Sequence, residues 1–219
     1  MVSIEMLNDN QKQAVLTDSR YVRIIAGAGS GKTRVLTMRI ATLIQQRQVW
    51  PSRILAITFT NKAANEMKER IRQMLPQQGS AVWISTIHSL CVRILREDIG
   101  SMGMPRNFTV MDADDQRSLL KEAYKEFGLD KQTYSFASML DYIANNKCAE
   151  ITPERAAVLA GDLKGENDKA KVYGYYVHRQ NAIYALDFDD LLLVTVRMLR
   201  QFPEIQAKWL QRDQYIHVD

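Results

Sequence analysis

Short apolar runs alternate with amphipathic stretches in the first half of the chain. Apolar and β-branched runs predict strands at Tyr21–Ile25, Ile54–Phe59 and Val82–Thr86, with a short one at Phe108–Met111. The segments between them have helical spacing. In residues 61–75 one face collects Ala63, Ala64, Met67, Ile71, Met74 and Leu75. Strands alternating with helices predict right-handed βαβ units and a parallel sheet, hence an α/β fold.

The pattern changes after Asp112, where helical signals dominate. One helix is predicted from about Asp114 to Phe127, capped by Asp112 and stopped by Gly128. Thr152 is predicted to cap another, with Pro153 at its first position, and a long helix is predicted from about Asp168 to Ala185. No convincing strand follows until Tyr215–Val218, and the chain is expected to return to the sheet through the helix after Asp187. We therefore interpret residues 112–184 as an all-helical inserted subdomain. Residues 1–111 and 185–219 would together form the α/β domain.

A glycine-rich loop lies between the first predicted strand and the next helix. Glycines let consecutive backbone N–H groups converge on a phosphate, and the helix dipole adds positive potential. Lys32 can reach the β- and γ-phosphates, and the Thr33 hydroxyl can hold Mg²⁺. Ala26 stands where the general pattern has a glycine. The predicted phosphate loop consists of Ala26, Gly27, Ala28, Gly29, Ser30, Gly31, Lys32 and Thr33.

The last predicted strand, Tyr215–Val218, ends in an acid. In phosphate-loop folds a second strand ends with an acid that helps to hold the nucleotide's Mg²⁺, so Asp219 pairs with Thr33 as the predicted metal site. The alternative is an ordinary aspartate after an edge strand. Because a central strand rarely ends a natural chain, we expect a truncation at Asp219.

Composition limits the possible partners and location of the protein but does not assign a function. The net charge of +4 and pI of about 9.0 permit a polyanionic partner without establishing one. Cys91 and Cys148 lie far apart and outside any metal-ligand spacing. The N-terminus lacks the features of a signal peptide, and the apolar run at 191–196 is too short to span a membrane. A cytoplasmic protein without membrane association is the expectation.

Six local motifs, in this order, resemble those of the superfamily-one DNA helicases of the UvrD/Rep/PcrA type. Residues 7–15 look like that family's adenine-reading glutamine motif, and Ala26–Thr37 like its first helicase motif, which also begins with alanine. The remaining matches are 58–64 with motif Ia, 84–90 with motif Ib (Ile87 replacing the usual phenylalanine), 186–192 with the end of the helical insertion, and 217–219 with the start of motif II. The resemblance implies a RecA-like ATP-binding domain that carries a helical subdomain.

The resemblance also implies nucleotide contacts outside the loop. Gln11 would offer its amide to the N6 and N7 edge of adenine, and Arg34 would stack on the base. Without the loop downstream, Gln11 would be interpreted as part of a polar helix start capped by Asn8 or Asp9. Lys32, Thr33 and Asp219 would carry the catalytic and Mg²⁺ roles.

A DNA-binding edge is the second implication. Phe59 follows a strand, where the pattern alone is equally consistent with core packing and with stacking on a nucleic-acid base; the resemblance favours stacking. Thr60, Asn61 and Lys62 would meet phosphate at the next helix N-terminus. Thr86 and His88, on the same edge, would bond to the DNA backbone or to the neighbouring loop.

Three acids near the end of the insertion invite a metal-site interpretation. Asp187, Asp189 and Asp190 have no histidine or cysteine in ligand spacing. Acids at a helix start are favoured by the helix dipole, which is the better interpretation.

The implied function is the N-terminal ATP-binding part of an ATP-dependent 3′-to-5′ DNA helicase. Its cofactors would be ATP and Mg²⁺. Its partners would be single-stranded DNA or a single/double-strand junction, and a C-terminal RecA-like domain of the parent chain. The isolated residues are expected to be catalytically incompetent. Three alternatives stay open: a helicase–nuclease subunit of the same superfamily, a naturally short non-motor module that binds single-stranded DNA or a partner, and a small phosphate-loop kinase.

Overall fold

A computed structural model describes residues 4–27 and 29–219 of the chain. Ala28, assigned above to the phosphate loop, lies outside the described residues. Two compact units are present: the chain up to Leu90 together with Gln206–Asp219, and Cys91–Ile205. The expected division at residues 112 and 184 stays a prediction. Within the described residues, no helix is long and apolar enough to cross a membrane.

The first unit contains a parallel three-stranded sheet, in the order β2 (Trp83–Thr86), β1 (Ile54–Thr58) and β5 (Tyr215–Val218). The helices assigned to this region are α1 (Asp9–Leu16), α2 (Lys32–Gln45) and α3 (Asn61–Met74); α4 (Ile87–Asp98) begins in it, and α10 (Pro203–Arg212) ends in it. The fold is RecA-like α/β with a parallel sheet, as expected.

The core of the first unit explains why the predicted faces are correct. Met67 and Ile71 of α3 are fully buried, and they belong to one apolar cluster with Ile40 of α2 and Ala56 of β1. A smaller cluster, which includes Val15 of α1 and Val35 of α2, packs α1 against α2. Helical spacing of apolar residues therefore identified the buried side of α3.

The predicted strand Tyr21–Ile25 is wrong. Residues 22–27 form no described strand, and the side chains of Tyr21 and Ile25 are more than 80% exposed. β-propensity alone does not make a strand, because the backbone needs a partner edge. Both edges of β1 are already occupied, by β2 and β5, and in the described residues the segment pairs with neither outer strand.

Helices dominate the second unit. They are α5 (Ala113–Phe127), α6 (Phe136–Cys148), α7 (Pro153–Ala160), α8 (Lys164–Ala182) and α9 (Phe188–Gln201). Two cap predictions are confirmed. Asp112 forms a capping box at the start of α5, and Thr152 caps α7 with Pro153 at its first position. Gly128 ends α5 in a left-handed conformation, with φ of +64°.

The short strand predicted at Phe108–Met111 exists, but it joins a second sheet. β3 (Thr109–Val110) pairs in parallel with β4 (Ala185–Leu186), which the sequence analysis missed. Two-residue strands carry almost no periodic signal, so only the pairing reveals them. The helix after Asp187, expected to lead back to the main sheet, belongs to the second unit.

Asp187 is a helix cap within a buried ionic cluster. Its side chain accepts a hydrogen bond from the backbone N–H of Asp190 at the start of α9. The Lys147 ammonium lies 2.6 Å from Asp187 Oδ2 and 2.8 Å from Asp190 Oδ2, and also donates to Gln180. The Tyr176 hydroxyl donates to Asp187 at 2.9 Å. Among the described residues, no cluster of three or more acidic, histidine or cysteine side chains could hold a metal ion.

Burial and charge compete in this cluster. Burial raises the pKa of Asp187, but the Lys147 ammonium outweighs it, and the pKa lies below its usual range. Burial raises the pKa of Asp190, and the charge of Asp187 adds to that effect. The cluster thus fixes α6, α8 and α9 around one buried cation.

Candidate nucleotide and nucleic-acid site

The phosphate loop leads directly into α2. Gly31, the residue before α2, has φ of +86°, and Gly29 has φ of +74°, a region that side chains other than glycine rarely adopt. Gly31 has no side chain that could cap the helix, so the first N–H groups of α2 receive no side-chain cap. A helix N-terminus of this kind is suited to binding an anion.

Lys32 and Ser30 fold back onto the loop. The Lys32 ammonium donates to the backbone carbonyls of Ala26 at 3.0 Å and Gly27 at 2.7 Å. The Ser30 hydroxyl also donates to the Gly27 carbonyl, at 2.8 Å. Lys32 is exposed, so its ammonium lies at the loop with access to solvent. A phosphate group in the loop would offer this ammonium stronger, charge-assisted hydrogen bonds.

Thr33 and Asp219 are in contact, although they are 186 residues apart in the sequence. The Thr33 hydroxyl donates to Asp219 Oδ2 at 2.9 Å. The backbone N–H of Asp219 donates to the Ile57 carbonyl at 2.9 Å, which extends the pairing of β5 with β1. Oxygen ligands of these two kinds, a hydroxyl and a carboxylate, are what Mg²⁺ prefers beside nucleotide phosphates. The residues present therefore fit a nucleotide-bound Mg²⁺.

The rest of β5 adds no charge beside Asp219. His217 is half-buried within the strand, and desolvation of its imidazole, with Arg39 nearby, lowers its pKa to about 4. Its imidazole is therefore uncharged at neutral pH. The carboxylate of Asp219 and the ammonium of Lys32 remain the charged groups that the sequence analysis assigned to phosphate and metal.

Gln11 joins α1 to the phosphate loop. Its Nε2 donates to the Ser30 carbonyl at 3.0 Å, and its Oε1 accepts from the Asn8 N–H at 3.1 Å. Asn8 in turn caps α1 by accepting from the Gln11 N–H. The helix-start interpretation of Gln11 is therefore confirmed. Its contact with adenine stays a prediction, for which the amide keeps one further donor hydrogen and one lone pair. Arg34 is exposed on α2 next to the loop.

Arg39 holds α1 in place, and the sequence analysis missed it. Its Nη1 donates to three carbonyls at the end of α1, those of Ala14, Val15 and Thr17, at 3.0–3.1 Å. Arg47 reinforces this contact by donating to the Leu16 carbonyl. The available signal was an arginine within the otherwise apolar surface of α2. These contacts fix the helix that carries Gln11.

The predicted DNA-binding residues lie at the carboxyl edge of the sheet. Phe59, directly after β1, has a side chain that is 88% exposed, which confirms the exposure expected for a stacking role. Thr60 caps α3 by accepting from the Ala63 N–H at 3.1 Å, and Asn61 and Lys62 are exposed on its first turn. Their contact with DNA stays a prediction.

Thr86 and His88 are less accessible than Phe59. Thr86 is buried, and its hydroxyl donates to Ser89 Oγ at 3.0 Å while it accepts from the Ser89 N–H. His88 is half-buried on the first turn of α4. The sequence analysis offered this pair a bond either to the DNA backbone or to the neighbouring loop. The hydroxyl of Thr86 bonds to the adjacent turn of α4.

Together the fold and this edge define a RecA-like phosphate-loop protein. Residues 7–219 match the UvrD/REP helicase N-terminal domain family. The ATP-dependent DNA helicase PcrA of Staphylococcus aureus (strain Mu50) is 43% identical over 213 residues, which cover 97% of this chain and 29% of that protein. PcrA of Staphylococcus epidermidis (strain RP62A) is 43% identical over 216 residues, or 99% of this chain and 30% of that protein.

The chain belongs to the UvrD/REP helicase family. It spans less than a third of the length of the relatives that it matches.

Proposed function

We propose that these residues form the ATP-binding half of an ATP-dependent 3′-to-5′ DNA helicase. The observation that carries the proposal is the Thr33–Asp219 hydrogen bond beside Lys32, because it joins the two separate motifs that such a motor needs at one phosphate. The named relatives are ATP-dependent DNA helicases, which supports the same activity for the parent of this chain. The 3′-to-5′ direction of movement is proposed from the motif resemblance.

Each residue of the site has a distinct role in this proposal. The α2 N-terminus and Lys32 bind and orient the β- and γ-phosphates, and Gln11 and Arg34 hold the base. Thr33 and Asp219 hold Mg²⁺, which when bound neutralises charge that develops on the γ-phosphate. Arginines of a second RecA-like domain would complete the site.

DNA would bind along the carboxyl edge next to this site. Phe59 would stack on a base without reading its identity, and Asn61 and Lys62 would meet the backbone. Asp219 and Phe59 lie at the same edge of the sheet. Closure of the two RecA-like domains on ATP would therefore move the residues that contact the DNA strand. A cytoplasmic location is part of the proposal.

Replacement of Lys32 tests the nucleotide half of the proposal. Residues 1–219 should bind Mg·ATP with a dissociation constant on the order of 0.1–1 mM, since they supply only one side of the proposed site. Lys32→Ala should weaken binding by about 10–100-fold, the cost of losing charged hydrogen bonds to phosphate. Calorimetric titration of both proteins, with Lys121→Ala on the exposed face of α5 as a control, measures this. Equal affinities of all three would remove the phosphate-loop assignment.

Replacement of Phe59 tests the DNA half. Phe59→Ala should weaken binding to oligo(dT) by about 1–3 kcal/mol, the usual value for one stacked base. The unfolding midpoint should stay unchanged, since the ring is exposed and buries little area. Tyr21→Ala removes another exposed ring and serves as the matched control in the same anisotropy titration. A Phe59→Ala protein that binds as tightly as the control would refute stacking.

A further inference from the structure

A cationic cavity lies at the opposite, amino edge of the same sheet. β1 begins at Ile54 and β2 at Trp83, and this edge is about 13 Å along the strands from their carboxyl ends. The cavity, of about 600 Å³, is lined by Ser52, Arg53, Lys208, Gln211, Arg212 and Gln214. Of these six described residues, three are positively charged, none carries a carboxylate, and the other three offer hydroxyl or amide groups.

The cations are held in fixed positions. Arg53 Nη1 donates to the Gln211 carbonyl at the end of α10, at 3.1 Å. Lys208 and Arg212 are four residues apart on α10, so they share one face of that helix. The Arg212 guanidinium lies 4.7 Å from the ring centre of Trp209 and 5.7 Å from that of Trp83. Stacking on aromatic rings holds a guanidinium in a fixed orientation.

Phosphodiester groups are the ligands that fit this arrangement. Arginine on a fixed platform, with lysine and amide donors around it, is the usual set for DNA backbone contacts. The rings of Trp83 and Trp209 are engaged with each other, at 6.0 Å between centres, and Trp209 is buried. They are therefore not offered to unstacked bases. A duplex presents densely spaced phosphates and needs no base stacking.

We propose that this amino-edge surface, built by Arg53, Lys208 and Arg212, binds the phosphate backbone of double-stranded nucleic acid. It lies on the same unit as the nucleotide site but at the other end of the strands from Phe59. A motor domain of this kind would hold a duplex segment separately from the strand on which it moves. The contact does not read sequence, since backbone phosphates are the same at every step.

Tryptophan fluorescence gives a local readout of this surface. The chain has three tryptophans: Trp50 just before Arg53, Trp83 at the start of β2, and Trp209 on α10. Titration with a short DNA duplex should therefore change the tryptophan emission, and Phe59→Ala should leave that change intact. This separates the proposal from the single-strand site, because failure of either one leaves the other measurable.

The decisive variant is Lys208→Gln combined with Arg212→Gln. It should weaken duplex binding at least about tenfold at about 50 mM salt, and lower the slope of log affinity against log salt by about 2, as expected for two lost phosphate contacts. The matched control is Lys121→Gln with Lys125→Gln, an exposed pair at the same spacing on α5, with the same change in net charge. Circular dichroism checks that both variants fold.

Three outcomes would overturn the proposal. One is equal duplex affinity and salt slope for the two double variants. Another is a stronger tryptophan response to oligo(dT) than to duplex, which would indicate base stacking. The third is a response to pyrophosphate without one to duplex, which would assign the cavity to a small phosphorylated ligand.

Discussion

Residues 1–219 are expected to bind Mg·ATP and yet to show no ATP hydrolysis stimulated by DNA. The proposed phosphate and metal ligands, Lys32 and the Thr33–Asp219 pair, all come from this one RecA-like domain. In the proposed function, arginines of a second RecA-like domain complete the site from the other side. One such arginine can contribute about 10³–10⁵ in rate.

Phosphate release at saturating ATP, with and without oligo(dT), measures this directly. The wild-type chain should match Lys32→Ala under both conditions. Extension of the chain through a second RecA-like domain should restore stimulation, because it adds the missing groups. DNA-stimulated turnover by residues 1–219 that Lys32→Ala abolishes would show that this half-site is sufficient.

Loss of the Lys147 ammonium is expected to cost about 3–5 kcal/mol of stability, as for removal of one partner from a buried ion pair. Lys147→Met keeps the length of the side chain but leaves Asp187 and Asp190 without their cation. Both carboxylates would then carry the full cost of burial. Since domains are typically stable by only about 5–15 kcal/mol, the loss should be visible as a large shift of the urea midpoint.

A rescue experiment identifies the cause of that loss. Adding Asp187→Asn and Asp190→Asn to Lys147→Met should recover part of the stability, because asparagine still caps a helix but carries no charge. Lys121→Met, at an exposed position of α5, serves as the control. A Lys147→Met midpoint close to that of the control would mean that the cluster contributes little to stability.

Local signals were sufficient for most of the fold. The buried face of α3, the Asp112 and Thr152 caps and the strands at β1, β2 and β5 all follow from spacing, side-chain hydrogen bonding or apolar runs within a few residues. Each depends on neighbours in sequence, and so each was visible before the structure.

The errors concern pairing and helices without a strong pattern. Tyr21–Ile25 has β-propensity but no partner edge, whereas Ala185–Leu186 has too few residues to show a pattern and is a strand only through Thr109–Val110. Helix α6, Phe136–Cys148, lies in the region expected to be all-helical, but it was not predicted as a separate element. Pairing is decided by residues far apart in the chain, which one sequence does not reveal.

The candidate site shows the same division. Lys32, Thr33 and Asp219 were found from motifs whose chemistry requires those residue types. The contact of Gln11 with Ser30 and the three carbonyl bonds of Arg39 came only from the structure. They position the motif residues without being part of a recognisable spacing.

Manganese in place of magnesium offers the most direct test of the Thr33–Asp219 site. With Mn·ATP bound, paramagnetic broadening in amide NMR spectra should centre on residues 29–33 and on Asp219. Lys32→Ala should reduce the broadening at all of these positions together. Broadening that is absent from Thr33 and Asp219, or that centres on another part of the chain, would contradict the assignment of this pair to the nucleotide's metal.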